Sequence, residues 1–139
     1  MISLAGLILL QATQISGFTR MEDAFENHCK IHSDGRVTGT HLRGISESGT
    51  WTFRSSLVNR ITDAERMELS TLLKEAVSGP YSDVPAACDT GTLVIQGWIE
   101  RTQRITIIQS KDCEPSRINL SPAAKKIKDR VHELCQLVP

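Results

Sequence analysis

Four cysteines set the tightest limit on what this chain can become. Cys29, Cys88, Cys113 and Cys135 are an even number, and no two of them form a C-x-x-C pair. That spacing favours disulfides over zinc or thioredoxin-type chemistry, so an oxidising compartment is expected. Four cysteines allow three pairings, and the sequence between them favours one. Thr92 to Ile99 and Arg104 to Gln109 are β-branched runs separated by Glu100-Arg101-Thr102-Gln103, the pattern of a β-hairpin with a polar loop. Folding the chain about the middle of that loop brings Cys88 within about one residue pair of facing Cys113. The expected bonds are Cys88 with Cys113 at the open end of the hairpin, and Cys29 with Cys135 tying the start of the domain to its last helix.

The amino terminus points to the same compartment. No charged residue precedes Arg20, and Ile2 to Leu10 is an apolar run of signal-peptide length. It is too short to span a bilayer, which takes about 20 apolar residues. Residues 1–17 are therefore expected to be a signal peptide, with cleavage around Ala12 to Gly17. Residues 18–139 are expected to form a single domain, periplasmic or secreted and without a membrane anchor after cleavage. The alternative is an apolar first strand or helix packed on the core.

Composition narrows the function classes. The 139 residues carry 16 Lys plus Arg and 16 Asp plus Glu, so the formal charge is zero, and nucleic acid and anionic membranes are disfavoured as partners. Hydrophobic residues make up 40% and charged residues 23%, the balance of a folded globular domain. With two Trp, one Tyr and three Phe, its core must be mostly aliphatic.

Along the chain, Phe25 to Ile31 and Arg36 to Leu42 read as strands joined by the Asp34-Gly35 turn. Gly44 to Gly49 reads as a polar loop. Thr50 to Leu57 alternates, with Trp51, Phe53, Ser55 and Leu57 on one face. Thr62-Asp63-Ala64-Glu65 is a capping box opening a helix whose apolar positions are Met67, Leu69, Leu72, Leu73, Ala76 and Val77; Gly79-Pro80 ends it. Tyr81 to Ala87 and Ser110 to Asn119 read as loops on either side of the hairpin. Ser121-Pro122 starts a last helix with Ile127, Val131, Leu134 and Val138 at helical spacing and a basic outer face. The order β-β-β-α-β-β-α defines an α+β domain: one antiparallel sheet covered by two helices and stapled by two disulfides.

Several short strings suggest chemistry without completing it. Asp89-Thr90-Gly91 is the aspartic-protease string, but too little chain follows it for such a subunit, and a turn accounts for it. His132-Glu133-Leu134-Cys135-Gln136 lacks the second His of a zinc protease helix. His28 and His32 alternate with Cys29 on a strand, which is already assigned to a disulfide. No P-loop, G-x-G-x-x-G or G-x-S-x-G string occurs. No catalytic residue, cofactor or metal is expected. The best candidate contact surface is Trp98 with Arg101 and Arg104, because Trp and Arg dominate binding hot spots.

From Leu57 to Ile95 the order of features is a strand, a capped helix with Leu69, Leu72 and Leu73, then Pro85, then Asp89 leading into Leu93-Val94-Ile95. This order resembles emfourin-type domains, small bacterial protease-inhibitor-like proteins found with secreted metalloproteases. The chain differs from them in its four cysteines and in lacking a glycine-rich opening. It is also similar in general character to small exported proteins of Gram-negative bacteria. The functional expectation is a non-catalytic binding domain whose partner is another exported protein. Inhibition of a secreted metalloprotease, as the resemblance implies, and a small hydrolase with dispersed catalytic residues are the alternatives. No oligomeric state is set by the sequence.

Overall fold

Buried and solvent-facing side chains alternate through most of the chain, and in the computed structural model, which describes residues 7–139, they resolve into eight strands and two helices. The strands are β1 (Ile8–Ile15), β2 (Phe25–His32), β3 (Arg36–Ile45), β4 (Trp51–Arg60), β5 (Tyr81–Val84), β6 (Thr92–Ile99), β7 (Gln103–Ser110) and β8 (Ser116–Asn119). The helices are α1 (Asp63–Ala76) and α2 (Pro122–Leu134). All strands lie in one sheet, ordered β4-β3-β2-β1-β6-β7-β8-β5, and every neighbouring pair is antiparallel.

The α+β class and the single antiparallel sheet agree with the sequence reading, but the order β-β-β-α-β-β-α omits β1, β5 and β8. Two of these come from the expected loops 81–87 and 110–119. There Tyr81–Val84 pairs with Ser116–Asn119, from Tyr81 opposite Asn119 to Val84 opposite Ser116. Strands of four residues put two side chains on each face, too few for a readable period. The third, Ile8–Ile15, lies within the expected signal peptide and forms an inner strand: Ala12 pairs with Cys29 on β2 and with Ile95 on β6. The rest of the expected leader, residues 1–6, lies outside the described residues.

The helices cover one face of the sheet. Leu10 and Ala12 of β1, Cys29 and Ile31 of β2, Val37 of β3 and Ile95 of β6 are essentially inaccessible, and they join one core with Leu69, Leu73 and Ala76 of α1 and Ala124, Ile127 and Val131 of α2. Gly97 on β6 lets α1 approach, since a Cβ there would lie 2.5 Å from Leu73 Cδ2. A bulge opposite Ile95/Gln96 re-aims β7, and both Ile107 and Ile108 are buried.

Local signals set the helix ends. Thr62 Oγ1 accepts the Glu65 amide at 3.1 Å, and Ser121 Oγ accepts the Ala124 amide at 3.0 Å with Pro122 in the first turn. The Glu65 carboxylate lies 3.2 Å from Arg130, linking α1 to α2. Met67, expected on the buried face, is 61% exposed, and Val138 lies beyond the end of α2. Val138 instead closes the fold through its backbone. Gln14 on β1 donates to the Val138 carbonyl at 2.6 Å and accepts the Val138 amide at 2.8 Å, and the same Gln14 oxygen accepts from the buried Asn27 side chain at 2.9 Å.

The cysteines pair as Cys29–Cys135 and Cys88–Cys113, with Cα atoms 5.8 Å and 4.3 Å apart. The first bond is buried and joins β2 to the end of α2; the second lies exposed where the β6–β7 hairpin opens. There the Cys113 amide also donates to the Ala87 carbonyl at 2.9 Å.

Candidate functional site

The β6–β7 hairpin closes through an unusual turn. The Thr102 amide donates to the Ile99 carbonyl at 3.2 Å, and both central residues are left-handed, Glu100 at φ 51° and Arg101 at φ 72°. Such a turn matches the twist of two antiparallel strands, but its central positions normally hold Asn and Gly. A side chain with a Cβ there costs about 1–2 kcal/mol per residue. Two charged side chains are thus held out beyond the sheet at an energetic cost, an arrangement concentrated at ligand-contacting sites.

Beside this turn lies a cleft of about 440 Å³. Its walls come from three places. The entry to β1 supplies Leu7, Ile8 and Leu9, helix α1 supplies Arg66 and Ser70, and the hairpin supplies Trp98, Glu100 and Arg101. Gln11 and Ser33 complete the lining. Leu9 is buried and Trp98 half-buried, whereas Glu100 and Arg101 stand exposed. Arg66 is partly engaged by Asp63, 3.6 Å away on the exposed side of α1. The result is a pocket with apolar surface, two guanidinium groups against one carboxylate, and amide and hydroxyl groups able to donate hydrogen bonds.

Of the three sequence candidates, the structure brings Trp98 and Arg101 into this cleft. Arg104 faces Trp98 across the β6–β7 ladder but is exposed and does not line the pocket. Arg66, Ser70 and the Leu7–Leu9 segment were missed, because they come from elements distant in sequence. Neither histidine nor cysteine lines the pocket, and Ser33 and Ser70 have no imidazole beside them in it. The surface is suited to holding a ligand, with no nucleophile–base pair in its lining.

The strings set aside above have structural roles. In Asp89-Thr90-Gly91, Asp89 and Gly91 are left-handed, at φ 63° and 81°, and the Thr90 amide donates to Asp112 at 3.2 Å. A Cβ on Gly91 would lie 2.5 Å from the Ile15 carbonyl oxygen, so glycine lets this loop pack against the end of β1. His28 points to the open face of the sheet, 3.6 Å from Glu26, while its neighbour Cys29 is bonded on the covered face. His32 Nε2 shares a 2.9 Å hydrogen bond with Thr38 Oγ1, and its Nδ1 is buried with no partner among the described residues. Burial first, then the Arg36 guanidinium, holds the His32 pKa below the usual imidazole value. His132 on α2 is alike: its Nε2 is buried without a partner among the described residues, and burial, then Lys128, lowers its pKa. Its neighbour Glu133 pairs with Arg130 at 2.8 Å. Among the described residues no three His, Cys, Asp or Glu side chains converge as a metal site, and no helix is long and apolar enough to cross a membrane.

No family model, no curated protein and no solved structure matches this chain.

Proposed function

We propose that this chain is a non-catalytic binding domain of an exported, oxidising compartment, periplasmic or secreted, and that it holds its ligand in the Trp98 cleft. The observation that carries the reading is the Glu100-Arg101 turn. Two charged residues occupy left-handed positions that Asn and Gly fill at lower energy, and both line the cleft. The ligand class follows from the lining. Trp98 and Leu9 offer apolar surface, Arg66 is shared with Asp63, and Arg101 presents its guanidinium at the rim, so an amphipathic anion is favoured: an apolar body bearing a carboxylate, sulfonate or similar group. Two disulfides in a chain of this size support the compartment.

The test uses anilinonaphthalene sulfonate, an apolar fluorophore with one anionic group, and a Trp51→Phe variant in which Trp98 is the sole tryptophan. Saturable dye binding with energy transfer from Trp98 is expected. Arg101→Glu is expected to weaken it by roughly tenfold, the worth of one charged hydrogen bond. Arg101→Gly is expected to weaken the dye while raising folding stability by about 1 kcal/mol, because glycine relieves the turn. Absence of saturable binding, or an Arg101→Glu variant that binds equally well, refutes the reading.

A further inference from the structure

Strand β4 ends the sheet with its outer edge unpaired among the described residues. It is ten residues long, and its partner β3 satisfies one side only, from Arg36 opposite Arg60 to Ile45 opposite Trp51. Protected edges are short, bulged, charged, proline-bearing or covered. This one carries Arg54 and Arg60 but is long and proline-free and shows apolar side chains on both faces: Phe53 is 56% exposed on the helix side and Val58 82% exposed on the other.

We propose that β4 pairs antiparallel with β4 of a second copy of this chain, extending the sheet across a two-fold axis. Such an axis runs along the sheet normal and turns the same face of both copies to the same side, so opposed residues must both be odd-numbered or both even-numbered. Two registers then use nearly the whole strand, one centred on Ser55 and one on Ser56. The Ser55 register sets Phe53 against the partner's Leu57, twice by symmetry, and Arg54 against the partner's Ser56. The Ser56 register sets Phe53 against the partner's Asn59 and Arg54 against the partner's Val58. The first pairs apolar with apolar and opposes no like charges, so the edge is self-complementary in that register. A ten-residue edge about 34 Å long and one sheet thick, about 10 Å, buries roughly 340 Å² per copy, under half of a standard interface. The dimer is therefore weak and depends on concentration.

The exposed Ser56 gives a test that leaves the monomer intact, since its own neighbour across the ladder is the uncharged Thr40. In the Ser55 register, Ser56→Glu places a carboxylate against the partner's Arg54 twice, and Ser56→Arg places a guanidinium there twice. Sedimentation from about 10 μM to about 1 mM is expected to show a monomer–dimer equilibrium. Ser56→Glu should tighten it and Ser56→Arg weaken it, each by roughly two- to thirty-fold. Both variants weakening it, as a Ser56-centred register requires, or a monomer throughout, or a dimer indifferent to both changes, overturns the proposal.

Discussion

Removing residues 1–17 gives the sharpest test of the fold, because the segment that resembles an export leader contains an inner strand. Without β1, strands β2 and β6 lose their shared neighbour, and the ladders from Leu10 to Ile15 on both sides are left open. The buried side chains of Leu9 and Leu10 contribute about 1.5–3 kcal/mol each and the Ala12 methyl about 0.8 kcal/mol, so apolar burial alone loses about 4–7 kcal/mol. Gln14 goes too, leaving the buried Asn27 amide short of an acceptor, at about 1–3 kcal/mol. Against a typical stability of about 5–15 kcal/mol, that loss of about 5–10 kcal/mol, before the two opened ladders are counted, removes most or all of the stability. A chain of residues 18–139, refolded with its disulfides, should show no cooperative urea transition by circular dichroism. A synthetic peptide of residues 7–17 should restore one in a concentration-dependent way, by re-entering between β2 and β6. A chain starting at residue 18 that unfolds cooperatively at the same urea midpoint as the full chain refutes the central placement of β1. The same logic fixes where a mature terminus can lie: mass mapping of protein recovered from its host should find the first residue ahead of Ile8.

Three further outcomes are expected. In the chain-entropy account, the bond spanning 106 positions contributes about 4.8 kcal/mol and the one spanning 25 about 3.5 kcal/mol. Equilibrium urea unfolding should therefore show Cys29→Ala/Cys135→Ala losing more stability than Cys88→Ala/Cys113→Ala, and the reverse order would contradict the assignment of the buried bond as the main staple. His32 and His132 both titrate below their ordinary value when folded, so the unfolded chain binds protons more readily near pH 6.5 and below. Stability should fall as pH drops from about 7.5 through this range, and a His32→Gln/His132→Gln variant should flatten the slope; an unchanged slope would show that these imidazoles do not govern it. The emfourin-type resemblance is tested by assaying the purified chain against a panel of secreted metalloproteases. Micromolar or tighter inhibition supports it, and none across the panel removes it.

The parts legible in the sequence are those where one local pattern meets one local geometry. The hairpin, the Thr62 and Ser121 caps, and the Gly79-Pro80 stop all rest on residues within a few positions of each other. The cysteine pairing was readable because a hairpin converts sequence spacing into spatial register: Leu93 faces Ser110 and Val94 faces Gln109, and a short extrapolation reaches Cys88 and Cys113. The segment expected as a leader carries two patterns at once. Ile8 to Leu10 followed by Gln11, Thr13 and Gln14 satisfies the pattern of an apolar run ending in polar residues. In the strand, Gln14 faces the helices and is buried by bonding Val138, over a hundred residues away. A buried polar side chain reads as exposed until its partner is known.

The cleft was half legible for a related reason. Trp98 and Arg101 were singled out for their residue types, but a pocket is made by elements that meet, and nothing local in Arg66 or Ser70 ties α1 to the entry of β1. The more informative signal lay in the hairpin loop itself. A turn with two left-handed central residues normally carries Asn-Gly, so Glu100-Arg101 departs from the turn chemistry that stability alone would select. Asp89, Cys113 and Gln136 also hold left-handed positions, so such a conflict marks a strained or a functional residue, and a substitution tells the two apart. Here the conflict falls at the rim of the cleft beside Trp98, whereas in the β2–β3 turn the left-handed position is held by a glycine, Gly35, and only Ser33 borders the cleft. Replacing Glu100-Arg101 with Asn-Gly therefore separates the two demands on this turn. A gain in stability together with loss of dye binding assigns the charged pair to the ligand; a gain with binding unchanged assigns the cleft no use for it.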